Sequence, residues 1–250
     1  MSWHRMEAVL VLPAFFLGLS GAQAAEIKLL EGHALNAVMN ELGPRFEKAT
    51  GNIITATLGT SAQLKARIDD GEAFDAVLIS NAALDKLAAQ GKVADAPRAA
   101  IARAGIGVAV RKGAPKPDIA TVAAFKQAML SAKSIGFVDN TPTAANLKAL
   151  FAKLGIADQV EGKLKPLHKQ VADALADGEI EIGMTQISEI LSSPSAELVG
   201  PLPAEIQSYT VFAGGVSAAS KNAAAAGVLI KFLTAPEAAA VIKSKGMDPG

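Results

Sequence analysis

Apolar and polar positions along the chain alternate between two periods. Ile27 to Leu30 is a short apolar run, followed by Glu31-Gly32-His33-Ala34 and then by Leu35, Val38, Met39, Leu42 and Phe46 at helical spacing. This predicts strand, loop and helix, with Gly51 ending the helix. Ile53 to Leu58 predicts a β-branched strand, and Thr60-Ser61-Ala62-Gln63 opens a helix that carries Leu64 and Ile68 up to Gly71. Asp75 to Ser80 predicts a strand and Ala82 to Gln90 a helix stopped by Gly91. Strands that alternate with helices in this way predict an α/β fold with a largely parallel sheet.

The alternation continues with a strand over Gly105 to Arg111, a loop over Lys112 to Pro117 and a helix from about Ile119 to Leu130. A second unit has a strand at Ser134 to Val138 and a helix at Thr143 to Leu154 capped by Gly155. After a looser stretch come a helix at Val171 to Ala176 and a strand at Ile180 to Met184. Gly200-Pro201-Leu202-Pro203 is the clearest irregular segment, Tyr209 to Phe212 predicts a strand, and Gly214-Gly215 permits a sharp backbone change. Two alanine-rich helices close the chain, the second started by Pro236.

The first residues change the picture. Arg5, the apolar run Ala8 to Leu19 and Ala22-Gln23-Ala24 together have the order of a cleavable export leader, so residues 1–24 are expected to lie outside the fold and the mature chain in the periplasm. Later apolar runs are broken by charges and predict no membrane-spanning helix. Lys plus Arg and Asp plus Glu number 24 each, and loss of Arg5 and Glu7 keeps them equal, which leaves no electrostatic footprint for nucleic acid. With no cysteine in an exported chain, stability has to come from a buried core, which a chain of this length can build.

In open α/β sheets ligands sit beyond the carboxyl ends of the strands, where helix N-termini present free N–H groups and the positive end of the helix dipole. Two segments have that form. Thr60 and Gln63 have capping-box spacing, which puts the Ser61 hydroxyl in the first turn beside free amides, with Gly59 allowing close approach. In Asp139-Asn140-Thr141-Pro142-Thr143-Ala144-Ala145, Thr141 suits the N-cap and Pro142 the first helical position, so that Thr143 and Ala144 present free amides. Both segments also serve as ordinary helix starts.

The order and spacing of these segments resemble the periplasmic molybdate-binding proteins and their relatives among type II solute-binding proteins. The resemblance is carried by Ile27 to Met39, by Gly59-Thr60-Ser61-Ala62-Gln63-Leu64, Gly71 and Phe74 to Ser80, by Pro142 ahead of Lys153-Leu154-Gly155, by Glu181-Ile182-Gly183 and by Phe232 to Ala239. It implies two α/β lobes joined by a hinge, with residues 25–102 and 215–250 in one lobe and 103–214 in the other. It further implies a monomeric receptor that hands a small anion, a molybdate-like oxyanion, to the membrane permease of an ABC importer. By position Ser61 retains the family's serine, while Thr143 and Val171 fall where backbone amide donors are expected. Ala34 stands in place of a serine and Gln186 in place of a tyrosine; Glu31 and His33 replace small residues, and Thr60 completes the set. These departures leave a small organic acid or a phosphate-type ligand open, as they do a periplasmic sensor. If Glu31 points inward, its carboxylate repels a dianion but accepts a hydrogen bond from a proton-bearing ligand.

Catalytic signatures are missing: His33 and His168 are the histidines left after export, and neither lies in a nucleophile or zinc pattern. The expectation is therefore a binding protein with no enzymatic activity, metal or cofactor. His168 is expected in a loop, and Glu189, after Thr185-Gln186-Ile187-Ser188, is expected to face solvent.

Overall fold

The computed structural model describes residues 24–250, so the leader expected over 1–24 lies outside the described residues but for its last alanine. In chain order the elements of the first part are β1 (Glu26–Gly32), α1 (Asn36–Thr50), β2 (Ile53–Gly59), α2 (Ser61–Asp69), β3 (Ala76–Ser80), α3 (Asn81–Ala89) and the long β4 (Val93–Arg111). They continue as α4 (Val122–Ser131), β5 (Ile135–Val138), α5 (Pro142–Lys153), α6 (Ala157–Glu161), β6 (Leu164–Leu167), α7 (Val171–Ala176), β7 (Ile182–Gln186), α8 (Ile187–Leu191) and β8 (Ala196–Pro201). The last are β9 (Tyr209–Ser217), α9 (Ala223–Leu233), α10 (Pro236–Ser244) and β10 (Met247–Pro249), with 3-10 turns at His33–Leu35 and Ala204–Ile206.

The strands pair in the order β2-β1-β3-β9-β4-β7-β5-β6, with β8 and β10 also on β4. Strand β4 is shared by two sheets. Its residues up to Gly105 pair with β9, and from Ile106 onward it pairs with β7. At that crossing the Gln207 side chain acts as a short piece of strand: its Oε1 accepts from the Ile106 N–H and its Nε2 donates to the Ile106 carbonyl, both at 2.9 Å. The sheet is mixed and not largely parallel as expected. Pairs β1–β2, β1–β3, β5–β6 and β5–β7 are parallel, whereas every pair made by β4 or β9 is antiparallel. A strand paired with a neighbour of the opposite sense needs no crossover helix, so these two strands can join the halves directly.

Each sheet is buried on both faces. In β3, Ala76 and Leu78 pack with Leu29, Phe46 and Ile230, while Val77 and Ile79 pack with Leu64, Leu84 and Leu87. Alternate side chains point to opposite faces, so burial on both faces demands the unbroken apolar run that this strand shows. In the second sheet Phe125, Phe137, Phe151 and Met184 form one core and Leu167, Leu175 and Ile180 another. The molecule is thus a two-lobed α/β protein.

Several local expectations are corrected. Glu31 and Gly32 continue β1, where they pair with Leu58 and Gly59, and are not loop residues. Residues 93–104 are strand despite Pro97 and the charges around it: β9 pairs with Val93 and again from Arg98 onward, and β10 pairs with Ala102 to Ala104. The stretch after Gly155 holds α6 and β6, and Gly200-Pro201 ends β8. Gly214-Gly215 makes no sharp turn but lies inside β9. There a Cβ on Gly214 would come 2.5 Å from Ile230 Cδ1, and one on Gly215 would come 2.7 Å from Val93 Cγ1. Close packing of helix and strand is what these glycines serve.

Candidate functional site

The carboxyl ends of β1, β2, β5 and β7 each lead into a helical turn, and a cavity of about 40 Å³ lies among those turns. Gly32, His33, Ala34, Thr60 and Ser61 line it from the first lobe. Val138, Thr141 to Thr143, Gln170, Thr185, Gln186 and Glu189 line it from the second, and Phe212 of β9 completes the wall. No lysine or arginine is among these residues.

Local sequence rules place the first-lobe donors. Thr60 caps α2 in a reciprocal capping box: its Oγ1 accepts from the Gln63 N–H at 3.2 Å, and Gln63 Oε1 accepts from the Thr60 N–H at 2.9 Å. Ser61, the first residue of the helix, accepts from the Ser80 N–H at 2.9 Å through its Oγ. That bond ties α2 to the end of β3 and leaves the Ser61 hydroxyl proton uncommitted. Gly59 sits at the end of β2 where a Cβ would come 3.0 Å from Leu64 Cδ2, so its role is close packing of the strand end against α2.

In the second lobe Thr141 caps α5. Its Oγ1 accepts from the Ala144 N–H at 3.2 Å and donates to the Val138 carbonyl at 2.8 Å, so its proton is spent within the turn. Pro142 takes the first helical position, as expected. Thr143, 4 % exposed, accepts at Oγ1 from Gln186 Nε2 at 2.9 Å and so keeps its own proton free. Gln186 Nε2 gives its other proton to Thr210 Oγ1 at 3.2 Å, a bond that links the end of β7 to β9. Gln186 Oε1 is buried with no partner.

Six of the eight residues singled out from sequence line this cavity: Ala34, His33, Thr60, Ser61, Thr143 and Gln186. Two do not. The Val171 side chain packs into the core with Ala174 and Leu175, one residue beyond the lining Gln170. Glu31 is buried within β1, 2 % exposed, with Oε1 unpartnered, and burial pushes its carboxyl up to about 7. Burial also lowers the His33 pKa from its ordinary value, which favours the neutral imidazole. His168 lies in the loop after β6, exposed.

Glu189 overturns the expectation that it faces solvent. The single turn of α8 directly after β7 folds it back onto the cavity, where its Oε2 takes the Thr185 hydroxyl. Burial raises its pKa, against the opposing pull of the Thr185 hydroxyl and the Gln186 amide. Sequence reasoning also passed over Thr185, Gln170 and Thr210. A signal existed for one of them, because Thr185 and Glu189 stand four apart across a strand end, the spacing at which a hydroxyl meets a carboxylate once a helical turn intervenes. Among the described residues no group of three or more His, Cys, Asp or Glu could hold a metal ion.

Comparison with known proteins gives a consistent picture. Residues 27–248 match the family model described as bacterial extracellular solute-binding protein. The chain is 32% identical over 250 residues to an aconitate isomerase of Pseudomonas sp, covering 96% of this chain and 95% of that protein. It is 25% identical over 254 residues to the molybdate-binding protein ModA of Azotobacter vinelandii, covering 98% of each. The solved structure of the Azotobacter vinelandii periplasmic molybdate-binding protein superimposes with a TM-score of 0.77 at 18% identity, over 90% of this chain and 99% of that one.

Proposed function

The chain belongs to the bacterial extracellular solute-binding protein family, the receptors of ABC importers, and on that premise we propose that it captures a small anion between its lobes and delivers it to a membrane permease. The observation that carries this reading is the pair of hydroxyls on Ser61 and Thr143. They come from opposite lobes, each has its oxygen engaged as an acceptor, and each keeps a proton to donate. Both stand in the first turn of a helix, Ser61 in α2 and Thr143 in α5, where free N–H groups add to the positive end of the dipole. Fully ionised oxygens only accept hydrogen bonds, so this donor set matches them without a cationic side chain.

On this reading Ser61, Thr143 and the amides beside them hold the ionised oxygens, with Thr60, His33, Ala34, Gln186 and the Val171 amide completing the site. Residues 25–102 and 215–250 move as one lobe against 103–214, and the leader 1–24 is removed on export of a monomer. Calorimetry with molybdate, sulfate, phosphate and small carboxylates tests the reading. Ser61→Ala removes one hydrogen bond to a charged group, about 1.5–3 kcal/mol, so affinity for the best ligand falls roughly tenfold to a hundredfold. Unchanged affinity in that variant would overturn the assignment.

A second reading, turnover of an unsaturated carboxylate, is favoured by the aconitate isomerase relative and by two groups that share the cavity. His33 as a neutral imidazole can take a proton, and Glu189 as a carboxyl held above its usual range can give one. Incubation with cis- and trans-aconitate, followed by proton NMR, distinguishes the two readings: interconversion identifies an isomerase, and binding without conversion a receptor.

A further inference from the structure

We propose that the cavity selects an anion that carries its own hydroxyl, a hydroxy acid or hydrogenphosphate, over the proton-free anion of the same size and charge. The inference rests on the anion reading above and deepens it.

Gln186 is 4 % exposed and lines the cavity, and its two amide protons are committed to Thr143 and Thr210. Its Oε1 has no partner in the protein. Buried carbonyl oxygens are almost always paired, and one left bare weakens whatever state leaves it so. Glu189 lines the same cavity, its carboxyl held by the Thr185 hydroxyl and by the Gln186 backbone amide. Both groups come from the β7–α8 junction, on the second-lobe wall. The cavity therefore has two kinds of wall. Ser61 and Thr143 supply protons, which ionised oxygens accept; Gln186 Oε1 supplies lone pairs, which ionised oxygens repel.

A sulfate or a simple carboxylate satisfies the first wall and leaves the second unmatched. An anion with a hydroxyl beside its ionised oxygens satisfies both, because the hydroxyl donates to Gln186 Oε1 while the remaining oxygens face Ser61 and Thr143. The direction of the preference follows from the amide. Were it reversed, an NH2 group would meet the ligand, and the proton-free anion would be favoured.

The test is calorimetry on the full mature chain at pH 8 with matched pairs: hydrogenphosphate against sulfate, lactate against propionate, malate against succinate. The expected result is a preference of about tenfold or more for the hydroxyl-bearing member. The pair in which it occurs tells phosphate chemistry from hydroxy-acid chemistry. In Gln186→Met, which keeps the length and loses the acceptor, the ratio falls towards one, with folding checked by a thermal melt. The ratio in the unmodified protein stands as a test should that variant not fold. Equal affinities within every pair, or preference for the proton-free member, overturn this inference and leave the anion reading standing; failure of every anion to bind removes both.

Discussion

Replacing Glu31 by glutamine should stabilise the protein at pH 8 and leave it nearly unchanged at pH 4.5. The carboxyl lies in the middle of three strands, in register with Leu58 of β2 and Leu78 of β3, 2 % exposed and with Oε1 unpaired. Burial is the cause that lifts its pKa from 4.5 to about 7. The unfolded chain ionises near 4.5 and the folded chain only near 7. Between those values the folded state therefore holds the extra proton, and stability falls as pH rises through the interval. At about 1.4 kcal/mol per pH unit, the full loss above pH 7 amounts to roughly 3 kcal/mol. Glutamine keeps the shape and cannot ionise, so Glu31→Gln regains that loss at high pH. The expected rise in melting temperature at pH 8 is roughly 6 to 12 °C for a chain of this size. Urea melts of both proteins at pH 4.5 and pH 8 are the assay, with unchanged m-values as the condition for comparison. A variant no more stable than the parent at pH 8, or a gain of equal size at both pH values, would refute the burial argument.

Two other perturbations follow from packing and from a buried acid. A Cβ on Gly183 of β7 would lie 2.2 Å from Val171 Cγ1 and 3.1 Å from Leu175 Cδ1, so Gly183→Ala should push α7 off the sheet and destabilise by about 1–3 kcal/mol in a urea melt. Asp75 accepts from the Lys28 N–H and the Ser220 hydroxyl and reaches Asn222, tying the segment after β9 to the first strand. Burial raises its pKa, but those donors outweigh it and the net direction is down. Its contribution is therefore present above the ordinary 3.8 and lost as pH falls below it. Asp75→Asn should cost about 1–3 kcal/mol at pH 7, with the gap to the parent closing in acid denaturation below pH 3.8; a gap that persists there would count against the carboxylate's role.

Much of the architecture was legible in the amino-acid sequence, because it depends on short-range rules. The unbroken apolar run at Ala76 to Ile79 marks a strand covered on both faces, and that is where it lies, at the centre of the first sheet. Thr60 with Gln63, and Thr141 with Pro142, mark helix starts whose capping bonds all form within three residues. Since those helices follow strands, the same local rules also put Ser61 and Thr143 at the ends of strands, where a cleft is expected.

Orientation and long-range pairing were decided by the tertiary structure. Residues 93–104 form strand because β9 pairs along most of the segment and β10 pairs with its last three residues, and nothing within the segment announces those partners. Glu31 and Glu189 show the limit most sharply. Each is a carboxylate at or just after the end of an apolar strand, and the local pattern treats both as polar residues for a loop or a solvated turn. In the fold Glu31 is paired on both sides within the sheet and sealed in, while a single helical turn swings Glu189 onto the cavity wall. Capping and periodicity act over a few residues and can be read along the chain. Which face a side chain meets depends on segments tens to hundreds of residues away, and only their packing in three dimensions determines it.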